Sequence, residues 1–134
     1  MRVIVLLTIV VFVIGCKTNR IKDNKRVGLW IETDSIDGSV YTSRGRYNKG
    51  IEKRTWKYLK NGQVYKKEVY RDSISKTTFY YPNGKKMLEG NSTLSHEGEY
   101  LHWYYDGKWH EFDTLGMMTA TRIYVKGELI NPEE

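Results

Sequence analysis

Four dipeptides, Asp37-Gly38, Asn61-Gly62, Asn83-Gly84 and Asp106-Gly107, punctuate the chain between segments rich in tyrosine and tryptophan. Asn-Gly and Asp-Gly accept the positive φ angles of type I′ turns, whose twist matches that of the flanking strands, so each is a hairpin signal. In Trp56-Lys57-Tyr58 and Thr121-Arg122-Ile123 alternate side chains differ in character, which lets a strand turn one face inward. Helical spacing of apolar residues is absent after residue 16, and the two prolines, Pro82 and Pro132, stand beside a turn and at the end. An all-β body follows.

The segments repeat. Gly28-Leu29-Trp30 precedes Gly38, Tyr47 and Gly50; Trp56-Lys57-Tyr58 precedes Asn61-Gly62 and Tyr70; Gly107-Lys108-Trp109 precedes Gly116, Tyr124 and Gly127. The step from the middle glycine to the following tyrosine is 9, 8 and 8 residues, and Tyr80 to Gly90 reads as a shortened fourth copy. One hairpin is marginal in water, whereas stacked hairpins bury a continuous core. The expected architecture is an open, twisted, meandering antiparallel sheet of three to four repeat hairpins over 28–130. The pattern resembles the bacterial form of the MORN repeat, found in short lipoproteins and antitoxin-like proteins; residues 91 to 100 fit no unit.

Upstream, Met1-Arg2 is followed by an apolar run from Val3 to Ile14 broken only by Thr8. Twelve residues are too few to cross a bilayer, which takes about 20 in a helix, and suit the core of an export signal. The run ends Val13-Ile14-Gly15-Cys16, which resembles the lipobox of bacterial lipoproteins, and Cys16 is the sole cysteine. The resemblance implies cleavage between Gly15 and Cys16, and acyl chains, palmitate among them, on Cys16. Lys17 after the cysteine leans toward the outer membrane by the family's sorting rule, and toward its periplasmic face. The expected organisation is a leader at 1–15, a lipidated flexible tether at 16–27, the repeat body at 28–130 and a polar tail at 131–134. The tether's basic residues read either as a solvated linker or as attraction to anionic head groups.

Lys+Arg 22 against Asp+Glu 16 gives +6, or +5 once Arg2 leaves with the leader. The cations are strewn between aromatics and acids rather than set on one stripe, which argues against nucleic acid as the partner. A single cysteine excludes an internal disulfide and a cysteine metal cage. No Gly-rich phosphate loop, G-x-S-x-G elbow or H-E-x-x-H helix occurs, so neither an enzyme nor a cofactor is expected. His102 and His110 flank Asp106-Gly107 and would face each other across a hairpin there, without a third ligand for a metal; His96-Glu97 and Glu111 carry too little pattern for acid/base work.

Two sets of residues keep two readings each. Trp30, Trp56, Trp103, Trp109, Tyr58, Tyr80 and Tyr104, with Tyr70 and Tyr124, are either packing core or a platform for a protein or an envelope polymer. Asp34-Ser35-Ile36, Asp72-Ser73-Ile74 and Asp113-Thr114-Leu115 are either turn chemistry or, by resemblance, the acceptor motif of Bacteroidetes O-glycosylation at Ser35, Ser73 and Thr114. The functional expectation is a monomeric, lipid-anchored binding or scaffold module. An antitoxin-like or immunity protein is the alternative, and a glycan-processing enzyme stands behind it.

Overall fold

The computed structural model describes residues 17–130. The leader 1–15, the Gly15–Cys16 cleavage point, the acceptor Cys16 and the tail 131–134 lie outside the described residues. Ten strands follow one another: β1 (Arg20–Lys22), β2 (Lys25–Ile36), β3 (Ser39–Asn48), β4 (Ile51–Lys60), β5 (Gln63–Arg71), β6 (Ile74–Tyr80), β7 (Lys86–Glu97), β8 (Tyr100–Phe112), β9 (Met118–Val125) and β10 (Glu128–Ile130). Each pairs only with its chain neighbours, so they form one open antiparallel meander with edges at β1 and β10, and no helix occurs among the described residues. The all-β meandering sheet is as the sequence predicts, with more strands than three to four hairpins supply.

Asp37-Gly38 and Asn61-Gly62 make the turns expected of them, both residues of each pair having positive φ. Lys49-Gly50, Lys126-Gly127 and Asp23-Asn24 adopt the same left-handed pair. The last of these corrects the tether: residues 20–27 are not a flexible linker but the β1–β2 hairpin, with Arg20 opposite Val27. Asn19 extends the correction. Its backbone N–H donates to the Leu29 carbonyl, and its side-chain amide accepts from the Ile31 N–H and donates to the Ile31 carbonyl, both at 2.8 Å. One side chain thus satisfies edge groups that a further strand residue would otherwise pair.

Asp106-Gly107 does not turn the chain. It lies inside β8, where Asp106 pairs with Asn91 and His110 with Glu89, so that three residues, Gly107, Lys108 and Trp109, stand opposite the single Gly90. Gly107 holds a φ of 75° at this bulge. The same device occurs on β3 and β4, where Arg54, Thr55 and Trp56 stand opposite Gly45 and Arg54 has a φ of 62°. In both places the bulge lays an indole over a glycine. A Cβ on Gly45 would meet Trp56 Cδ2 at 1.9 Å, and one on Gly90 would meet Trp109 Cδ2 at 2.2 Å. Each indole N–H then donates to the carbonyl after its glycine, Trp56 to Arg46 at 3.2 Å and Trp109 to Asn91 at 3.0 Å. Arg54 and Gly107 pair with Tyr70 and Tyr124 in turn, so the repeat seen in the sequence is a repeat of bulge, ring and partner tyrosine.

A non-glycine residue in the left-handed region costs about 1–2 kcal/mol. Arg54→Gly should therefore raise stability by about 0.5–1 kcal/mol, the gain in φ strain exceeding the added chain entropy of glycine. Thermal unfolding of the two forms measures it, and a lower midpoint for the variant would contradict the bulge at Arg54.

Candidate functional site

Register assigns the side chains to two faces. Trp30 pairs with Gly45, Tyr58 with Ser43, Glu68 with Trp56 and Thr77, and Gly90 with Thr77, which puts all the tryptophan-bearing positions of β2 to β5 on one side. On it Trp30, Trp56, Tyr70 and Trp109 are buried, with Trp30 at 7%, Trp56 at 3% and Trp109 at 0% exposure. The rings meet edge to face: Tyr47 is 5.7 Å from Trp30 and 4.9 Å from Trp56, and Tyr124 is 6.2 Å from Trp109. Tyr105 stacks on Trp109 at 3.8 Å. For Trp30, Trp56 and Trp109 the platform reading is thus overturned: neighbouring rings and bulges cover these indoles, and no partner can reach them.

Trp103 is half-buried for a different reason. The β7–β8 hairpin runs past the β5–β6 turn, where the Leu94 N–H donates to the Ser73 carbonyl, and its tip carries Trp103 back over the face. There the indole lies 5.0 Å from Tyr70 and its N–H donates to Glu52 Oε2 at 3.4 Å, across 51 residues of chain. This overhanging tip accounts for residues 91 to 100 fitting no repeat unit. Tyr58 is half-buried beside Trp56, Tyr80 is half-buried near the end of β6, and Tyr104 is half-buried with its hydroxyl donating to Glu97 at 2.8 Å.

At the centre of the aromatic face stands Glu68. Its Oε2 accepts from the hydroxyls of Tyr58 and Tyr70, each at 2.7 Å, and its Oε1 lies 3.1 Å from Lys66 Nζ. That ammonium also sits 3.7 Å from the centre of the Tyr58 ring. A carboxylate is an acceptor only. Here it sits against one cation and ties together strands β4 and β5, holding both rings in place.

Burial first, and the Glu68 charge second, push the Tyr58 and Tyr70 hydroxyls far above their ordinary pKa, and burial raises Tyr47 and Tyr105 as well. An unfolded tyrosine ionises near pH 10, whereas these remain protonated in the fold. The unfolded chain therefore loses protons first, and stability that is intact below about pH 10 falls as the pH climbs past it. Tyrosinate absorbance followed together with circular dichroism should show the buried hydroxyls titrating only as the sheet unfolds; smooth ionisation of all tyrosines with the sheet intact would contradict their burial.

The other predicted groups do not converge. His102 pairs with Ser95 and His110 with Glu89 on the same strand, so the pair across a hairpin is overturned because the Asp106-Gly107 bulge keeps β8 running on. His110 Nδ1 lies 3.0 Å from Thr121 Oγ1, and Glu111 pairs with Arg122. Among the described residues no cluster suited to a metal occurs. Ser35, Ser73 and Thr114 are all exposed. Turn chemistry is visible beside Thr114, where Asp113 Oδ1 accepts from the N–H groups of Leu115 and Met117, whereas Ser35 lies inside β2 with its N–H donating to Asp34.

Sequence reasoning missed Glu68, Gly45, Gly90 and the charge on the opposite face. The signal for Glu68 was its parity with Tyr70, two residues on in the same strand. No protein family, curated protein or solved structure matches the chain.

Proposed function

We propose that the protein is a lipoprotein, held to the membrane by acyl chains on Cys16, whose sheet acts as a non-enzymatic binding or scaffold module at the periplasmic face of the outer membrane. The observation that carries this reading is where the fold begins. Among the described residues the first hydrogen bond to the sheet is made by Asn19, three residues after Cys16. Three extended residues span at most about 11 Å, so an acyl group on Cys16 would seat the sheet against the head groups instead of leaving it on a long leash. The apolar leader that stops at Gly15-Cys16 supports the anchor, and the recurrence of bulge, indole and tyrosine supports the likeness to MORN-type repeats. Glu68, largely enclosed on the aromatic face, is engaged by Tyr58, Tyr70 and Lys66, which suits a structural task. Two or three acyl chains hold a protein firmly where one binds reversibly.

Labelling cells with a palmitate analogue tests the anchor. Label should appear on the wild-type protein and vanish in Cys16→Ser; an unlabelled wild type would sink it.

A further inference from the structure

The two faces of strands β2 to β5 differ in charge as well as in aromatic content. Every acid on these strands, Glu32, Asp34, Glu52 and Glu68, shares parity or cross-strand pairing with the aromatic side. The opposite side carries Arg44, Arg46, Lys53, Lys57 and Lys67. Arg44 stands directly across from Lys57, Lys57 from Lys67, and Arg46 from Lys53. None of these five is ion-paired among the described residues. Like charges placed directly opposite destabilise a sheet, and mixing signs over a surface would have avoided the cost. Arg44, Arg46, Arg54 and Lys57 also share one shallow depression floored by Leu29, Gly45 and Thr55.

We infer that this basic face is a docking surface for a carboxylate-rich segment of a partner protein. The inference rests on the binding-module reading and names the chemistry of its partner. The three arginines narrow the class to planar or tetrahedral oxyanions. A guanidinium presents a planar fork that takes a carboxylate or a phosphate through two parallel hydrogen bonds, which a lysine ammonium does not reproduce. The strand spacing of the arginines favours a peptide carboxylate, and the phosphates of vesicles and DNA are outcomes of the test. No aromatic ring lines the depression to stack on a nucleobase or a sugar. Arg44 and Arg46 alternate on one strand about 6.6 Å apart, the spacing at which an extended partner presents every second side chain.

Fluorescence anisotropy of a labelled oligoglutamate with the full chain provides the test, with phosphatidylglycerol vesicles and duplex DNA as the other probes. The oligoglutamate should bind in a salt-sensitive manner. Neutralising Arg44, Lys57 and Lys67 together to Gln should weaken it on the order of 10- to 100-fold, each exposed pair being worth about two- to five-fold. Thermal stability should hold or rise in that variant, because the like-charge row is gone; a purely structural role predicts a fall. Replacing Arg44, Arg46 and Arg54 by Lys keeps the charge and should still weaken binding several-fold, while Lys22→Gln/Lys25→Gln on the first hairpin should leave it unchanged. Equal binding by the Arg→Lys form, or binding of vesicles or DNA with oligoglutamate ignored, overturns the proposal. A Cys16 that takes no label while oligoglutamate binding persists refutes the anchor and not this surface; a labelled Cys16 without oligoglutamate binding refutes this surface alone.

Discussion

Gly90→Ala should destabilise the protein by at least about 3 kcal/mol, lowering its thermal midpoint by roughly 15 °C. The added methyl would stand 2.2 Å from Trp109 Cδ2 and 2.4 Å from both Cε2 and Cγ, inside the van der Waals radius of a ring that is itself fully buried. Backbone on one side and Tyr105 stacked at 3.8 Å on the other leave the indole nowhere to slide. It must leave its place, forfeiting both its packing and its hydrogen bond to the Asn91 carbonyl. Losing a buried tryptophan costs about 3–5 kcal/mol, which sets the scale. Gly45→Ala under Trp56 should behave alike. Pairing Gly90→Ala with Trp109→Leu should cost less than the sum of the two, since the smaller side chain makes room for the methyl. Calorimetry of the four forms measures this, and a loss below about 1 kcal/mol in Gly90→Ala would show that the indole does not lie on that glycine.

Glu68→Leu should cost about 2–4 kcal/mol. The carboxylate side chain is 14% exposed, and its removal strands two tyrosine hydroxyls and an ammonium that have no other partner of comparable quality. Glu68→Gln keeps an acceptor and should cost less, about 1–2 kcal/mol. Tyr58→Phe and Tyr70→Phe each remove one donor and should cost about 1 kcal/mol, because the carboxylate retains its other contacts. A double-mutant cycle between Tyr58→Phe and Glu68→Leu should return a positive coupling; additivity would mean that the hydroxyl and the carboxylate do not meet.

How far the sequence discloses this molecule depends on how local the signal is. Hairpins at Asp37-Gly38 and Asn61-Gly62 are written in two residues and fold as read. Asp106-Gly107 carries the same chemistry to a different end, since a positive φ serves a bulge inside a strand as well as a turn between two. Lys49-Gly50 and Lys126-Gly127 turn the chain with a lysine in the left-handed region, a residue without the local hydrogen bonds that make Asn and Asp legible there. Residues 20–27 looked like a linker because an edge strand is often kept charged and free of apolar alternation. The period of two separates faces but does not say which is covered. That choice came from the β7–β8 tip, which brings Trp103 to Glu52 and Tyr70 from far along the chain, and from bulges whose glycines sit on neighbouring strands. The basic face was hidden for the same reason: Arg44, Lys57 and Lys67 are scattered in sequence and adjacent only in register.

The central structural claim is that the indoles of Trp30, Trp56 and Trp109 lie covered by neighbouring rings. Acrylamide quenching of tryptophan fluorescence tests this most directly. With Trp30, Trp56 and Trp109 buried and Trp103 half-covered, the native protein should be quenched only weakly, and the urea-unfolded chain strongly. Native quenching as steep as that of the unfolded chain would place the indoles in solvent and contradict it.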